Sequence, residues 1–323
     1  MLINDRRSFD EYNTVNDVQK IKEFTANRYW GKIPEADLEK ALELIDVEGW
    51  DSFVNKFKDR LDFTTEENRA DWRFLVPLDK NSVVLDVGAG LGRISIPLAR
   101  VVKRVVACDT SVVRMRFLKK LAESKNLNNI EVAVADIFKP PFEKESFDLI
   151  VMNGVLEWVG KTDLYKDPRE AQIACLKICK GLLKKGGFLY VGIENRFASA
   201  YLRGIDHSGL RFTSYMPRWM ANRYTFFKTG KRYDTYTYGM PGYKKLFNEG
   251  GFSNPDFYLV YPGYNRPRII VPYKNLDLLK YTVISMMSGN TRIRKIARAV
   301  APFPFVMWLY RKIFFSFNIF AQK

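Results

Sequence analysis

The sequence predicts an α/β fold with a doubly wound, mostly parallel sheet. From residue 83 onwards, short runs rich in Val, Ile and Leu alternate with longer amphipathic runs, which is the order of strands and helices in such a sheet. Five of the predicted strands end at polar residues, namely Asp86, Asp109, Asp136, Asn153 and Glu194. Because the carboxyl ends of parallel strands meet at one edge, these side chains are expected at the edge where ligands bind.

Residues 1–80 are predicted to form a helical N-terminal cap. One short helix is expected at 15–30. A second is expected from Pro34 to Gly49, because Leu38, Leu42 and Ile45 recur on one face and Gly49 ends the pattern. A third amphipathic helix is expected from Trp50 to Leu61.

The alternating region gives strands and helices with definite limits. Helices are predicted at Arg93–Val102, Val112–Ser124 and Pro168–Leu183, with Gly186 and Gly187 closing the third of them. The strands are predicted at Val83–Val87, Arg104–Asp109, Ile130–Ala135, Phe147–Asn153 and Phe188–Glu194. A further helix at Gly239–Glu249 precedes a sixth strand at Phe257–Tyr261.

Composition indicates a globular chain with an uneven charge. Its 323 residues are 47% apolar, enough for one large core, and the net charge is +16. Residues 1–80 carry net −5, whereas 81–265 and 266–323 carry +11 and +10. Three cysteines are too few for a disulfide framework, so a reduced, cytoplasmic protein is expected. Cys175 and Cys179 are interpreted as core residues, and no metal site is predicted.

A glycine-rich turn follows the first strand. Asp86 precedes Gly88, Gly90 and Gly92, and the next predicted helix begins at once. Glycine permits positive φ and lets a ligand approach the main chain, so a nucleotide-like ligand is expected. A dinucleotide-binding turn requires its third glycine at the position of Arg93, so this turn is of another type.

This arrangement resembles motif I of the class I S-adenosylmethionine-dependent methyltransferases. Asp109, at the end of the second strand, is placed to accept both ribose hydroxyls, and 134–138 resembles the segment that receives adenine. The segments 147–158 and 182–187 extend the resemblance to the fourth and fifth strands. The resemblance implies S-adenosylmethionine as methyl donor, bound by Asp86, Gly88, Ala89, Gly90, Gly92, Asp109, Thr110, Asp136, Ile137 and Asn153.

The resemblance also implies a Rossmann-like sheet of seven strands. The seventh strand is expected at Phe314–Ala321, antiparallel to the sixth. The chain is accordingly divided into a cap at 1–80 and a methyltransferase domain at 81–323. Insertions follow strands five and six, at 195–238 and 262–312. The first insertion is the predicted acceptor lid, because it follows the ligand-binding edge and holds 11 aromatic and eight basic residues.

Candidate catalytic and acceptor-binding residues lie around this lid. His207, the single histidine, is a candidate general base, with Asn153 and Glu157 at the end of strand four. A structural role for His207 is the alternative. Candidate acceptor-binding residues are Glu194, Asn195, Arg196 and Arg211, with Arg218 as a further anion-binding arginine. The segments 194–196 and 206–214 resemble a prokaryotic methyltransferase subgroup associated with cell-surface glycan biosynthesis.

Three functions remain open at this stage. The leading hypothesis is methyl transfer to a small-molecule or glycan- or lipid-linked acceptor, at oxygen. The alternatives are an RNA methyltransferase, favoured by the positive charge, and a non-catalytic nucleotide-binding scaffold. Residues 292–315 combine basic and aromatic side chains, which is typical of peripheral membrane contact, but the run is too short to span a bilayer. Packing of this segment on the domain is the alternative.

Overall fold

The computed structural model of the protein describes residues 35–57, 67–202, 206, 208–286 and 292–323. They divide into two compact units. The first unit combines Met1–Val151 with Gly181–Phe188, and the second combines Met152–Lys180 with Leu189–Lys323. The helix predicted at 15–30 and the helix-starting role of Pro34 lie outside the described residues.

The first unit contains three paired parallel strands. They are β1 (Val83–Val87), β2 (Arg104–Asp109) and β3 (Ile130–Val134). Val87 lies opposite Cys108, and Cys108 lies opposite Ala133. The apolar runs of β1 and β2 are buried almost throughout, as parallel strands covered on both faces require. The predicted limits of β1 and β2 are confirmed, and β3 ends one residue earlier than predicted.

Helices cover these strands. They are α1 (Glu35–Glu48), α2 (Trp50–Phe57), α3 (Ser95–Ala99) and α4 (Val112–Ser124), and a 3₁₀ helix spans Asn68–Leu75. Leu38, Leu42 and Ile45 are buried in a cluster with the apolar face of α4, which confirms the predicted face of α1.

Aromatic contacts fix α2 on α4. The ring centroids of Trp50, Phe53 and Phe117 lie 5.2–5.8 Å apart in tilted and edge arrangements, which aromatic pairs prefer.

The predicted helix Arg93–Val102 was too long. The turn persists to Ile94, because the amide of Gly92 donates to the Ala89 carbonyl, and the helix closes at Ala99.

The remaining elements run through the second half of the chain. Strand β4 (Phe147–Asn153) precedes α5 (Pro168–Leu182) and β5 (Leu183–Glu194). The predicted lid contains a 3₁₀ helix (Ser199–Leu202) and α6 (Arg218–Thr229). Next come α7 (Met240–Glu249), β6 (Asp256–Tyr261) and β7 (Ile269–Pro272). The chain ends with α8 (Leu276–Met286), α9 (Arg292–Val300), α10 (Pro304–Tyr310), a 3₁₀ helix (Arg311–Ile313) and β8 (Ser316–Gln322).

The strands form an eight-stranded sheet in the order β3-β2-β1-β4-β5-β8-β6-β7. The fold class is confirmed, including the terminal strand β8, which pairs antiparallel with β6. The predicted count of seven strands was wrong, because β7 pairs antiparallel with β6 at the edge of the sheet. Its four residues end in Pro272, which suits an edge strand and gives little sequence signal.

Gly186 and Gly187 do not cap a helix, which corrects their predicted role. Strand β5 begins at Leu183, directly after α5, and runs through both glycines. A Cβ on Gly187 would lie 3.0–3.1 Å from the carbonyl oxygens of Phe147, Asp148 and Lys184. Glycine is therefore required here by close backbone approach within the first unit.

Among the described residues, none of the helices is both long enough and apolar enough to traverse a lipid bilayer.

Candidate functional site

The turn after β1 holds its main chain against β2. Gly88, Gly90 and Gly92 have φ angles of +69°, +56° and +84°, which side chains with a Cβ rarely tolerate. The amides of Gly88 and Ala89 donate to the carbonyl oxygen of Cys108, at 2.7 and 3.0 Å. Gly88 itself is exposed, so a ligand has access to its main chain.

Asp86 lies on β1 as a buried carboxyl. It is 2% exposed, and the hydroxyl of Ser95 donates to its Oδ2 at 2.6 Å. Burial raises the pKa of Asp86 to about 7, against the opposing effects of the Ser95 hydrogen bond and the charge of Arg69. The carboxyl therefore titrates near neutral pH, and a cationic ligand would stabilise its ionised form.

Asp109 joins the glycine turn to the end of β2. Its Oδ2 accepts from the Gly90 amide at 2.9 Å, and its Oδ1 accepts from the Ser111 amide at 3.0 Å. Burial raises the pKa of Asp109, although these amide donors favour the charged form. A carboxylate has about four acceptor positions, so two amide bonds leave capacity for ligand hydroxyls.

The three predicted acids of the first unit lie around one thiol. Burial raises the pKa of Cys108, and the charges of Asp109, Asp136 and Asp86 raise it further. The structure thus brings these strand-end acids together, as the sequence predicts.

The predicted adenine segment follows β3. Asp136 accepts from the Phe138 amide at 2.9 Å through Oδ1. Ile137 is buried at 7% exposure, and Thr110 is partly buried. Adenine carries an amino group on a flat apolar ring. The Asp136 carboxylate can accept from that amino group and the apolar side chain of Ile137 can pack on the ring, so these residues fit the predicted adenine site.

Ser111 and Glu35 were missed by the sequence analysis. The Ser111 hydroxyl accepts from the Arg114 amide at 3.3 Å, capping α4, and donates to Glu35 Oε1 at 2.5 Å. A serine directly before a helix is a recognisable capping signal. Nothing in the sequence pairs it with Glu35, which lies 76 positions away.

Gly92 lies directly against α4, and its cofactor-binding role stays a prediction. A Cβ at this position would lie 2.1 Å from Cδ1 of Leu118, which is fully buried on α4. The missing side chain lets the turn lie directly on the helix.

Asn153 ends β4 and belongs to the second unit. The Tyr190 hydroxyl lies 2.9 Å from Asn153 Oδ1 and 3.0 Å from Asn318 Oδ1. A Cβ on Gly192 would lie only 2.3 Å from Asn153 Oδ1. The Asn153 side chain is therefore held by its neighbours, and its cofactor and catalytic roles stay predictions.

Glu157 and Glu194 lie on either side of one tyrosine. The Tyr264 hydroxyl is 2.9 Å from Glu194 Oε1 and 3.4 Å from Glu157 Oε1. Glu157 is fully buried. Gly154 makes room for the phenol, because a Cβ there would lie 2.7 Å from the Tyr264 oxygen. No local pattern indicates Tyr264, which lies 107 positions from Glu157.

The predicted acceptor residues at the start of the lid bond to the backbone. Arg196 donates through Nε and Nη2 to the carbonyl oxygens of Ser214 and Met216, at 2.7 and 2.8 Å. Asn195 Nδ2 donates to the carbonyl oxygens of Lys312 and Phe314. Arg211 is exposed. These contacts order the lid, and acceptor binding by the three residues stays a prediction.

Asp206 is the hydrogen-bonding centre of the predicted lid. The Asp206 carboxylate accepts from the amides of Ser208 and Ser214 and from the hydroxyls of Ser208, Thr213 and Ser214. Burial opposes ionisation, but these bonds hold the pKa of Asp206 below its usual range. His207, the next residue in the sequence, lies outside the described residues. The general-base role of His207 stays a prediction.

The three cysteines are buried, as their interpretation as core residues requires. Cys179 Sγ lies 3.8 Å from the sulfur of Met152. Within the described part of the chain, no His, Cys, Asp and Glu side chains gather in a group of three or more that would hold a metal ion.

Comparison with known proteins identifies part of the chain. Residues 85–191 match the family model described as a methyltransferase domain. The chain is 28% identical over 127 residues to the ubiquinone biosynthesis O-methyltransferase of Pelagibacter ubique, covering 39% of this chain and 48% of that protein.

A second relative and a solved structure complete the comparison. The chain is 33% identical over 76 residues to "Probable ribosomal RNA small subunit methyltransferase A" of Methanosphaera stadtmanae, covering 24% of this chain and 27% of that protein. It thus spans about half or less of these relatives. Haemonchus contortus phosphoethanolamine N-methyltransferase 2 with S-adenosyl-L-methionine aligns with TM-score 0.47 at 13% identity, covering 90% of this chain and 60% of that one.

Replacing Gly92 by alanine is expected to destabilise the protein more than replacing Gly49. Both glycines have positive φ, +84° and +86°, so each change costs about 1 kcal/mol in backbone strain. Only at Gly92 does the new Cβ meet a side chain, whereas nothing lies within 4 Å at Gly49. Overpacking adds about 1–3 kcal/mol. Urea unfolding measures both variants, and equal losses would contradict the packing role.

Proposed function

We propose, on the premise that this chain carries a class I, S-adenosylmethionine-dependent methyltransferase domain at residues 85–191, that it methylates an acceptor at oxygen. The acceptor is a small molecule or a glycan- or lipid-linked intermediate of cell-surface glycan biosynthesis, methylated in the cytoplasm. The observation that supports the donor is the glycine turn after β1, where the Gly90 amide donates to the Asp109 carboxylate and Asp86 lies buried on the preceding strand.

Each acid suits a different part of the donor. Asp109, already bonded to the Gly90 and Ser111 amides, would accept the ribose hydroxyls, and Asp136 beside Ile137 would receive adenine. Asp86, buried and ionisable near neutral pH, would attract the positively charged amino-acid end. When bound, S-adenosylmethionine supplies an electrophilic methyl group, so the protein chiefly aligns the reactants and excludes water.

An oxygen acceptor must lose its proton as the methyl group arrives. His207 is the proposed base, because it is the single histidine of the chain and follows Asp206, whose carboxylate accepts hydrogen bonds from the Ser208 and Ser214 amides. Glu157 and Glu194 provide a second proton-accepting pair through the Tyr264 hydroxyl. Amine acceptors in their neutral form need no such base.

RNA methylation is the second candidate function. It is favoured by the net charge of +16 and by the relative that is named for ribosomal RNA. The aromatic and basic lid suits stacked bases as well as a small acceptor.

A lipid-linked acceptor agrees with an exposed surface in the second unit. This apolar–basic surface, formed by α8, α9 and α10, exposes Phe303, Phe305, Trp308 and Leu309 by 38–68%. Arg292 and Lys295 are exposed on α9, and Lys312 is exposed on the 3₁₀ helix that follows α10. The Lys312 ammonium lies 3.3 Å from the Trp308 ring centroid. We propose that an anionic lipid surface covers it, because aromatic rings and cations together favour the headgroup region.

The affinity for S-adenosylmethionine is expected to rise about eightfold from about pH 6 to about pH 7.5. The pKa of Asp86 is about 7, so its attractive, ionised form increases over this range, while an α-amino group stays mostly charged. Isothermal titration calorimetry measures the change. Asp86→Asn should bind without this dependence, and a pH-independent wild type would contradict the assignment of Asp86.

Methyl label from S-adenosylmethionine is expected in a small-molecule or lipid-extractable fraction of a bacterial extract. Asp109→Ala, which removes the anchor of the glycine turn, should abolish the labelling. Label in RNA would establish the second candidate instead. Donor binding without labelling of any fraction would support the non-catalytic scaffold.

Flotation with vesicles tests the apolar–basic surface. Wild-type protein should float with phosphatidylcholine vesicles that contain phosphatidylglycerol and remain unbound with pure phosphatidylcholine, because anionic lipid supplies the attraction. Phe305→Ser with Trp308→Ser should prevent flotation. Phe227→Ser is the matched control, since Phe227 is 83% exposed on α6. The proposal fails if wild type stays unbound with both vesicles.

A further inference from the structure

The second unit contains a cavity lined by charged and aromatic side chains. Its volume is about 480 Å³. It is bounded by the start of α5, the start of α6 and the aromatic segment at 233–238. Of the residues singled out from the sequence, Arg218 lines it, and the other lining residues are new to the argument.

Arg218 is the central cation of this cavity. Its guanidinium carbon lies 4.2, 5.2 and 5.5 Å from the ring centroids of Tyr236, Tyr238 and Tyr233. Nη2 donates to the Thr237 carbonyl oxygen, whereas Nη1 is buried and has no hydrogen-bond acceptor among the described residues. A buried charged donor without an acceptor is costly, so an anion would relieve a real deficit here.

The lining is strongly positive. Four cations, Lys166, Arg169, Arg218 and Arg232, face one carboxylate, Asp167, which leaves three positive charges. Glu249 pairs with Arg169 and offsets one of them. Arg232 donates to the main-chain carbonyl oxygens of Lys166, Gly160 and Thr162, and these neutral acceptors leave its charge in place.

Two further features favour an anion. The pKa of Arg196 is lowered by burial and by the charge of Arg218, so positive potential extends beyond the cavity. Helix α6 begins at Arg218 with no acidic residue in its first turn and no side-chain cap. Its positive end therefore remains available to an anion. By contrast, Asp167 accepts from the Arg169 amide and caps α5.

The cavity is linked to the end of β4 within the same unit. Gln172 Nε2 donates to the carbonyl oxygens of Tyr236 and Leu156, at 2.8 and 2.9 Å. The Tyr238 hydroxyl donates to Gln172 Oε1 at 2.9 Å. Leu156 precedes Glu157, so the wall of the cavity and the candidate proton-accepting pair share one bonded framework.

We propose that this cavity binds the phosphate group of a phosphorylated acceptor. Donors on separate elements, Arg218 and Asn222 on α6 and Lys166 before α5, suit the tetrahedral oxygens of phosphate better than the two coplanar oxygens of a carboxylate. The flanking tyrosine rings suit the carbon skeleton of the ligand. The ligand's role as acceptor rests on the proposed methyltransferase function, whereas phosphate binding does not.

Calorimetry with glycerol phosphate as the probe tests the site. Arg218→Gln should weaken binding by tenfold or more. Arg223→Gln is the matched control, because Arg223 is exposed on the same helix and outside the lining, and it should bind as wild type. Acetate should bind at least tenfold more weakly than glycerol phosphate. Equal affinities of wild type and Arg218→Gln, or of acetate and glycerol phosphate, would overturn the proposal.

Arg218→Gln removes contacts with three tyrosines as well as a charge, so a second variant is needed to distinguish lost binding from misfolding. Asn222→Asp adds a carboxylate to the lining without removing those contacts, and it should also weaken glycerol phosphate binding by about tenfold while circular dichroism stays unchanged. Unchanged affinity in a folded Asn222→Asp protein would count against the site.

Titration with S-adenosylmethionine separates phosphate binding by the cavity from the proposed methyltransferase function. Phosphate binding without donor binding defeats the proposed function alone, and donor binding without phosphate binding defeats this inference alone.

Discussion

The carboxylate of Asp109 fixes the glycine turn of the first unit to the end of β2. One carboxylate oxygen accepts from Gly90 and the other from Ser111, so a single side chain connects the glycine turn, the end of β2 and the start of α4. Hydrogen bonds to a charged group contribute about 1.5–3 kcal/mol each, which offsets the burial that raises the pKa of Asp109. Ser111 then extends this network to Glu35 on α1.

Burial affects the neighbouring acid as well. Burial raises the pKa of Asp86 to about 7, although the Ser95 hydroxyl donates to it. Burial also raises the pKa of Asp109, which accepts from the Gly90 and Ser111 amides. The first unit thus holds a carboxyl that titrates near neutral pH on the strand that precedes the glycine turn.

The second unit uses aromatic hydroxyls and rings where the first uses carboxylates and amides. Tyr264 connects Glu157 with Glu194, and Tyr190 lies between Asn153 and Asn318. Tyrosines 233, 236 and 238 surround Arg218. Each phenol combines a large apolar ring with one polar atom, so the unit can bury acids and a guanidinium while supplying partners to them.

Local patterns along the chain were enough to predict the parallel strands, the glycine turn and the acids at or just beyond the ends of β1, β2 and β3. Hydrophobic periodicity, turn residues and polar residues at strand ends each depend on a few neighbouring positions. Folding alone established the edge strand β7, the packing of Gly92 against Leu118, the placement of Tyr264 and the cavity around Arg218. Each depends on residues far apart in the chain that meet only after folding, and spacing along the sequence does not encode which of many tyrosines or arginines will meet.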